Sequence, residues 1–212
     1  MGLGTSFGVY ASTDVAAEDG EDTGIAFGGG RGLFGGGVST IDTIDYVTIS
    51  TPSNATDFGD LPVGRYGLSA CSNGTRGVFG GGYVSSGYNN RIEYVTISTP
   101  SNATWFGFLT VKRRYLGACS DGTKGVFGGG NGWPSLIDYV TIATTSDATD
   151  FGDLTVARRY LAACSDGTKG LWGGGYSTID TIDYVTIATP GNATDFGDLT
   201  VGRWGVAACS GD

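Results

Sequence analysis

The sequence predicts an all-β chain built from four successive units of about 45 residues. Three series carry that reading. An aromatic-Gly-Gly-Gly motif recurs at Phe34–Gly37, Phe79–Gly82, Phe127–Gly130 and Trp172–Gly175. Tyr-Val-Thr-Ile begins at Tyr46, Tyr94, Tyr139 and Tyr184, and Cys-Ser falls at Cys71, Cys119, Cys164 and Cys209. The Tyr and Cys series both step by 48, 45 and 45 residues. No segment shows helical periodicity over ten or more residues.

Each unit reads as four short strands, most clearly in the last complete one. Residues 160–165 form the first, closed by the turn Asp166-Gly167-Thr168-Lys169, and Asp-Gly between apolar runs is a hairpin signal. Gly170-Leu-Trp with its three Gly gives the second. A variable loop leads to the third, Ile182–Ala188, whose β-branched and aromatic residues suit a pleated surface. After a Pro-Gly-Asn turn, Ala193–Leu199 forms the fourth. Leu-x-Val-x-Arg then connects to the next unit, with Arg65, Arg113, Arg158 and Arg203 at its end. Small residues are expected where strands crowd together. The triplet Gly80, Gly81 and Gly82, like its equivalents, permits positive φ and close approach of neighbouring sheets.

Four strands in 40–50 residues is the arithmetic of a β-propeller blade. The order of motifs resembles the kelch repeat: Arg158 before the inner strand, Gly173–Gly174 ending the second, Tyr184 in the third and Phe196 in the fourth. Leu61-Pro62-Val63-Gly64-Arg65-Tyr66-Gly67 is the closest match to the kelch connecting segment. The resemblance covers about residues 21–212 and departs from the family in the third Gly and the Ala-Cys-Ser inner strand. It implies a small propeller of kelch-like blades, four preferred and five the alternative. Residues 1–20 read as an extension or closing strand, with Ser6–Tyr10 as a degenerate fourth strand. Units of approximately 21–64, 65–112, 113–157 and 158–202 follow, and 203–212 is a closing first strand. Thr23–Phe27 stands where the first unit's own first strand belongs.

Composition narrows the functions. Gly supplies 40 of 212 residues, against a usual share of about 7%, yet Gly does not recur at every third position as collagen requires. Aromatic residues at 12% are too many for a disordered linker. There is no His, the commonest general base and metal ligand. A net charge of −9 opposes nucleic-acid binding and anionic membranes. No apolar run reaches the roughly 18 residues of a membrane helix, and residues 1–10 have no signal-peptide pattern.

Candidate chemical sites dissolve on inspection. The four Cys lack the close spacing of zinc sites and occupy one equivalent place each, so they read as small buried hydrophobes. Asp57-Phe58-Gly59, Asp150-Phe151-Gly152 and Asp195-Phe196-Gly197 match the kinase magnesium triplet but sit in a strand, with no kinase catalytic loop. The pairs Asp57/Asp60, Asp150/Asp153 and Asp195/Asp198 read as solvated outer-strand carboxylates rather than a calcium site. Asn54, Asn73, Asn102 and Asn192 fit the glycosylation pattern, but Asp147 replaces Asn in the third unit, which favours a turn role. Galactose oxidase is a kelch-type enzyme whose copper needs His ligands absent here. The expectation is a protein without enzymatic activity or cofactor.

Specificity is then left to the places where units differ. The loop after the second Gly triplet carries Tyr83, Tyr88, Asn89, Asn90 and Arg91, and its counterparts carry Trp133 and Tyr176. All should emerge on one face, with side chains that stack on sugars or anchor protein contacts. Trp105, Phe108 and Lys112 form a second divergent cluster, read as an interface. Kelch propellers act mostly as binding platforms, and Gly-rich, near-identical units also resemble repeat proteins of tailed bacteriophages, marine ones in particular. Those resemblances imply a noncatalytic virion component, made in the host cytoplasm, contacting other virion proteins, itself or a host-surface glycan. The alternatives are a lectin-like propeller and an intracellular kelch scaffold.

Overall fold

In the computed structural model, which describes residues 30–132 and 135–210, every regular element is a β-strand. Unit 1 contributes β1 (Arg31–Gly37), β2 (Ile41–Thr48) and β3 (Thr56–Asp60). Unit 2 has β4 (Ser69–Ser72), β5 (Arg76–Gly80), the small hairpin β6 (Tyr83–Val84) and β7 (Gly87–Tyr88), then β8 (Arg91–Thr96) and β9 (Thr104–Phe108). Unit 3 is β10 (Gly117–Ser120), β11 (Lys124–Gly128), β12 (Leu136–Thr141) and β13 (Thr149–Asp153). Unit 4 is β14 (Ala162–Ser165), β15 (Lys169–Gly175), β16 (Ile179–Thr186) and β17 (Thr194–Asp198). The last three units are four-stranded antiparallel meanders, and β1-β2-β3 is a three-stranded one. The four-strand reading of each complete unit therefore holds. The expected strands at Ser6–Tyr10 and Thr23–Phe27 lie outside the described residues.

Local chemistry sets each turn. Asp121 Oδ1 accepts from the backbone N–H groups of Thr123 and Lys124 at 2.8 and 2.6 Å, and Asp166 repeats this with Thr168 and Lys169. Asn73 does the same with its amide oxygen. These bonds close the first hairpin of units 2, 3 and 4. On the outer side the ladder slips by one residue, so that Ile137 faces Gly152 while Asp138 faces Asp150. The extra residue, Phe151, is buried, and Asp150 Oδ1 accepts from Gly152 N–H at 3.1 Å across the bulge. Asp57 and Asp195 do likewise. These exposed carboxylates thus brace the bulge that carries Phe58, Phe151 or Phe196, the first two rings being buried.

The hydrophobic core lies between units rather than within them. One cluster joins Leu33, Ile44, Phe58 and Leu61 of unit 1 to Leu68, Phe79, Val95 and Ile97 of unit 2. Equivalent residues form the second and third clusters, between units 2 and 3 and between units 3 and 4. Glycine makes the approach possible. A Cβ on Gly80 would stand 2.8 Å from the Phe127 ring, and one on Gly128 2.6 Å from the Trp172 indole. The middle glycine, Gly81, has φ +72° and lies beneath the Arg113 carbonyl, where a Cβ would sit 2.7 Å from the oxygen. The first glycine of the triplet thus leaves room for the aromatic ring of the next unit.

Hydrogen bonds repeat the same step. Ser120 Oγ donates to Ser72 O and Ser165 Oγ to Ser120 O, each at 2.6 Å. Ala103, Ala148 and Ala193 N–H donate to carbonyls of the preceding outer strand at Asp60, Phe108 and Asp153. In return Asp60, Phe108 and Asp153 N–H donate to side-chain oxygens of Asn102, Asp147 and Asn192. Only an acceptor oxygen is needed there, which explains why Asp147 replaces Asn without loss. The Asn positions with the glycosylation pattern at Asn102 and Asn192 are thus inter-unit ties.

Inside units 2, 3 and 4, the Arg ending Leu-x-Val-x-Arg is buried against an acid on the third strand: Arg65 with Glu93, Arg113 with Asp138 at 2.8 Å, and Arg158 with Asp183 at 3.0 Å. Arg113 also donates to the carbonyls of Phe127, Gly129 and Leu136. Thr110 donates from its backbone N–H and hydroxyl to Asp138, as Thr155 does to Asp183. Pro62 occupies the equivalent place before Arg65 and has neither donor, and there the acid is the longer Glu93. Asp138→Asn leaves the Arg113 charge buried without its counterion, so the variant should lose about 3–5 kcal/mol of stability. Urea unfolding followed by far-UV circular dichroism checks this.

Candidate binding surface

The loops after the second, third and fourth Gly triplets start from equivalent backbone pairings. The residue following each of these three triplets pairs with the residue following the buried Arg: Tyr83 with Tyr66, Asn131 with Arg114, and Tyr176 N–H with the Arg159 carbonyl at 2.9 Å. Successive linkers are then tied to each other, Tyr115 N–H to Gly67 O at 2.7 Å, Tyr160 N–H to Tyr115 O and Gly205 N–H to Tyr160 O at 3.0 Å. This backbone ladder lays the side chains of four linkers and their loops along one continuous strip.

That strip is aromatic and cationic. Ring contacts run from Tyr88 to Tyr83, Tyr66, Tyr115 and Tyr160, and from Tyr160 to Tyr176 and Trp204. Tyr115 and Tyr160 are stacked, centroids 3.9 Å apart and planes 22° from parallel. The Arg114 guanidinium lies 4.5–5.4 Å from the rings of Tyr66, Tyr83, Tyr88 and Tyr115, and Arg159 lies 4.3 Å from that of Tyr176. Arg114 also donates to the Tyr66 hydroxyl at 2.6 Å. Asn131 links the two halves, donating to the Tyr88 hydroxyl and accepting from Arg159. Each exposed cation–π contact of this kind contributes about 0.5–1 kcal/mol.

The strip is held in a strained backbone. Tyr115 and Tyr160 have φ +59° and +58°, where Gly67 and Gly205 stand in the flanking copies. A bulky residue in this region costs about 1–3 kcal/mol, and such strain concentrates at functional surfaces. Burial and the hydrogen bond with Tyr160 push the Tyr115 hydroxyl well above the usual tyrosine range.

An open cleft of about 690 Å³ adjoins the strip at Tyr88. Its wall brings together Tyr88, Asn89, Asn90 and Arg91 of the divergent loop with Phe108 and Lys112 of the second divergent cluster. Two groups of residues far apart in the sequence pattern thus meet. Trp105 packs edge-on against Phe108 at 4.6 Å, with Arg91 5.4 Å from its ring. Asn89 accepts from Arg91 N–H, and Asn90 Nδ2 donates to Leu109 O, so both amides shape the wall. Trp133 lies outside the described residues. The residues that sequence reasoning missed are Tyr66, Arg114, Tyr115, Arg159, Tyr160 and Trp204. Their signal was the doublet after each Arg of the linker series: Tyr-Gly, Arg-Tyr, Arg-Tyr, Trp-Gly.

The cysteines lie on the opposite side of this logic. All four are free thiols. Cys71 faces Gly125 and Cys119 faces Gly170, where an added Cβ would stand 2.5 and 2.7 Å from the sulfur. Burial pushes the Cys71 thiol up to about 12 and raises Cys119 and Cys164 as well, while Cys209 is exposed. Among the described residues no cluster of three or more His, Cys, Asp or Glu is arranged to hold a metal. No protein-family model matches the chain, and no curated protein matches it.

In dilute, unassociated protein a thiol reagent at neutral pH should label Cys209 first and reach Cys71 and Cys119 only after unfolding. Because folding raises the Cys71 value, its contribution is complete below the ordinary thiol range and is lost as pH rises from about 9 towards about 12. Mass-resolved labelling and alkaline unfolding curves measure the two effects.

Proposed function

We propose that this chain is a noncatalytic binding and structural protein: a small β-propeller of kelch-like blades, acting as a tail, fibre or surface component of a bacteriophage virion. The observation that carries the binding role is the Tyr–Arg strip continuous with the cleft at Tyr88. Aromatic faces and guanidinium groups with low conformational freedom are the side chains that anchor protein contacts. Four linkers supply equivalent backbone positions, and their side chains are of three kinds: Tyr66-Gly67, the pair Arg114-Tyr115 and Arg159-Tyr160, and Trp204-Gly205. A rigid scaffold with variable loops separates stability from recognition, which suits a particle protein exposed to a changing partner surface. The virion assignment itself rests on the resemblance of near-identical, Gly-rich units to phage repeat proteins.

A second reading is carbohydrate binding at the same place. The cleft combines an aromatic face, Tyr88, with amides and the cations Arg91 and Lys112, a set that stacks on a sugar ring and bonds its hydroxyl or acidic groups.

The chain should sediment with purified virions after lysis, and its appearance solely as a soluble fraction would contradict the virion role. On a glycan array, binding that falls about tenfold or more in Tyr88→Ala supports the carbohydrate reading, since stacking losses exceed about 1.4 kcal/mol. An array without hits removes it and leaves a protein partner.

A further inference from the structure

Among the described residues the four units have three inter-unit cores, so each end of the array presents half of a fourth. Phe58, Phe106 and Phe151 are at most 3% exposed, whereas Phe196 in unit 4 is 54% exposed. Phe79, Phe127 and Trp172 are at most 2% exposed, whereas Phe34 in unit 1 is 43% exposed. The two halves are complementary position by position. Gly35, Gly80 and Gly128 each meet the aromatic ring of the next unit, but a Cβ on Gly173 would meet only Ile182. Gly173 is an aromatic socket without a ring, and Phe34 is a ring without a socket.

The polar groups tell the same story. Arg203 follows Leu-x-Val-x like Arg65, Arg113 and Arg158, yet it is exposed. Asp45 stands before Tyr-Val-Thr-Ile like Glu93, Asp138 and Asp183, yet it has no salt-bridge partner among the described residues, and residues 1–29 contain no Lys or Arg. Residues 205–210 stack on unit 4 as a first strand would, Gly205 N–H donating to Tyr160 O and Ser210 Oγ to Ser165 O. They pair with no second strand, and β1-β2-β3 lacks a first strand among the described residues. Residues 23–27, Thr-Gly-Ile-Ala-Phe, have neither the preceding Arg nor the Cys-Ser of the other first strands, while 203–210 has both. Cys209 is exposed, and Gly77, the glycine that should face such a sulfur, faces none. No hydrogen bond, ion pair or core cluster joins unit 1 to unit 4 among the described residues.

We propose that copies of this chain associate head to tail, the outward face of unit 4 and strand 203–210 of one copy completing the first sheet of the next. In the repeat register Arg203 then pairs with Asp45 of the second copy, Phe34 of that copy fills the Gly173 socket, and Asp198 N–H donates to its Asn54. The contact is heterologous, so repetition yields a closed ring or a filament. It rests on the repeat geometry alone, is independent of glycan binding and of the virion assignment, and places the closure of the proposed propeller between copies instead of between the terminal strands of one chain.

The test is a charge exchange on the full chain, read by sedimentation velocity across the micromolar range. Wild-type protein should associate with rising concentration. Arg203→Glu and Asp45→Arg, each alone, should weaken association at least about 100-fold, because each brings like charges together at the seam. An equimolar mixture of the two variants should restore it. The introduced carboxylate of one variant then meets the introduced guanidinium of the other, while the reciprocal seam keeps the native pair. Phe34→Ala should weaken association too, by emptying the Gly173 socket without placing a charge opposite Asp45 in the β1–β2 ladder. Circular dichroism of each variant should match wild type, as all three positions lie outside the existing cores. A monomeric wild type, or a mixture that fails to recover, overturns the proposal. A monomer destabilised by Arg203→Glu would point to closure within one chain instead and equally overturns it.

Discussion

Every other feature depends on one constraint: no unit of this chain encloses its own core. A sheet of four short strands has two faces and cannot bury either alone. Each unit therefore donates Phe, Leu and Ile from one face and accepts an aromatic ring on the other. Stability in such an array is a sum of unit terms and nearest-neighbour interface terms. The interfaces carry the larger share here, since the fully buried side chains Phe79, Phe106, Phe127 and Trp172 all belong to them. Near-identity of the units follows physically, because a residue that suits one interface suits the next only if the step between units is constant.

The Arg–acid pairs protect that constant step. A buried ion pair contributes little net free energy compared with apolar residues of the same volume, but breaking one is expensive. Its value is directional. Arg113 bonds Asp138 and three carbonyls at the end of β11 and around the Gly triplet, so the linker between units has one admissible path. Thr110 adds two donors to the same carboxylate. The change to Pro62 with Glu93 in the first linker keeps the ion pair while removing the Thr contribution, which shows the ion pair to be the element held fixed.

Much of the fold was legible because it is periodic. Strand order, turn residues and the Gly triplets follow from spacing and from the φ preferences of Gly, Asp and Asn, and the described strands fall within a few residues of expectation. The partners of the Arg series were less visible. The acid one residue before each Tyr reads as the polar half of a strand alternation, and only burial on both faces reveals it as a counterion. Tyr115 and Tyr160 were hidden for another reason. The expected first strand began at Tyr160, whereas its positive φ places it in the linker, and Gly at the same position in two other linkers is the sequence trace of that geometry. The meeting of Tyr88 with Phe108 and Lys112 depended on how the loop folds back, which no local pattern encodes.

The two surfaces that remain are divided by the same constraint. Along the strip, side chains vary because they project from linkers whose backbone is already fixed by the ladder through Gly67, Tyr115, Tyr160 and Gly205. A change there alters recognition and leaves the inter-unit cores alone. At the two ends the opposite holds: Phe34, Phe196 and Gly173 are core positions, and their identity matches the buried positions of the interior even though they are uncovered. A solvent-facing residue has no reason to keep a core identity. Drift towards polar side chains would be expected at an end that faces only water, as the capping units of repeat proteins show. The apolar ends therefore read as surfaces shaped by the same interface that repeats inside the chain, whereas the strip reads as a surface shaped by something else.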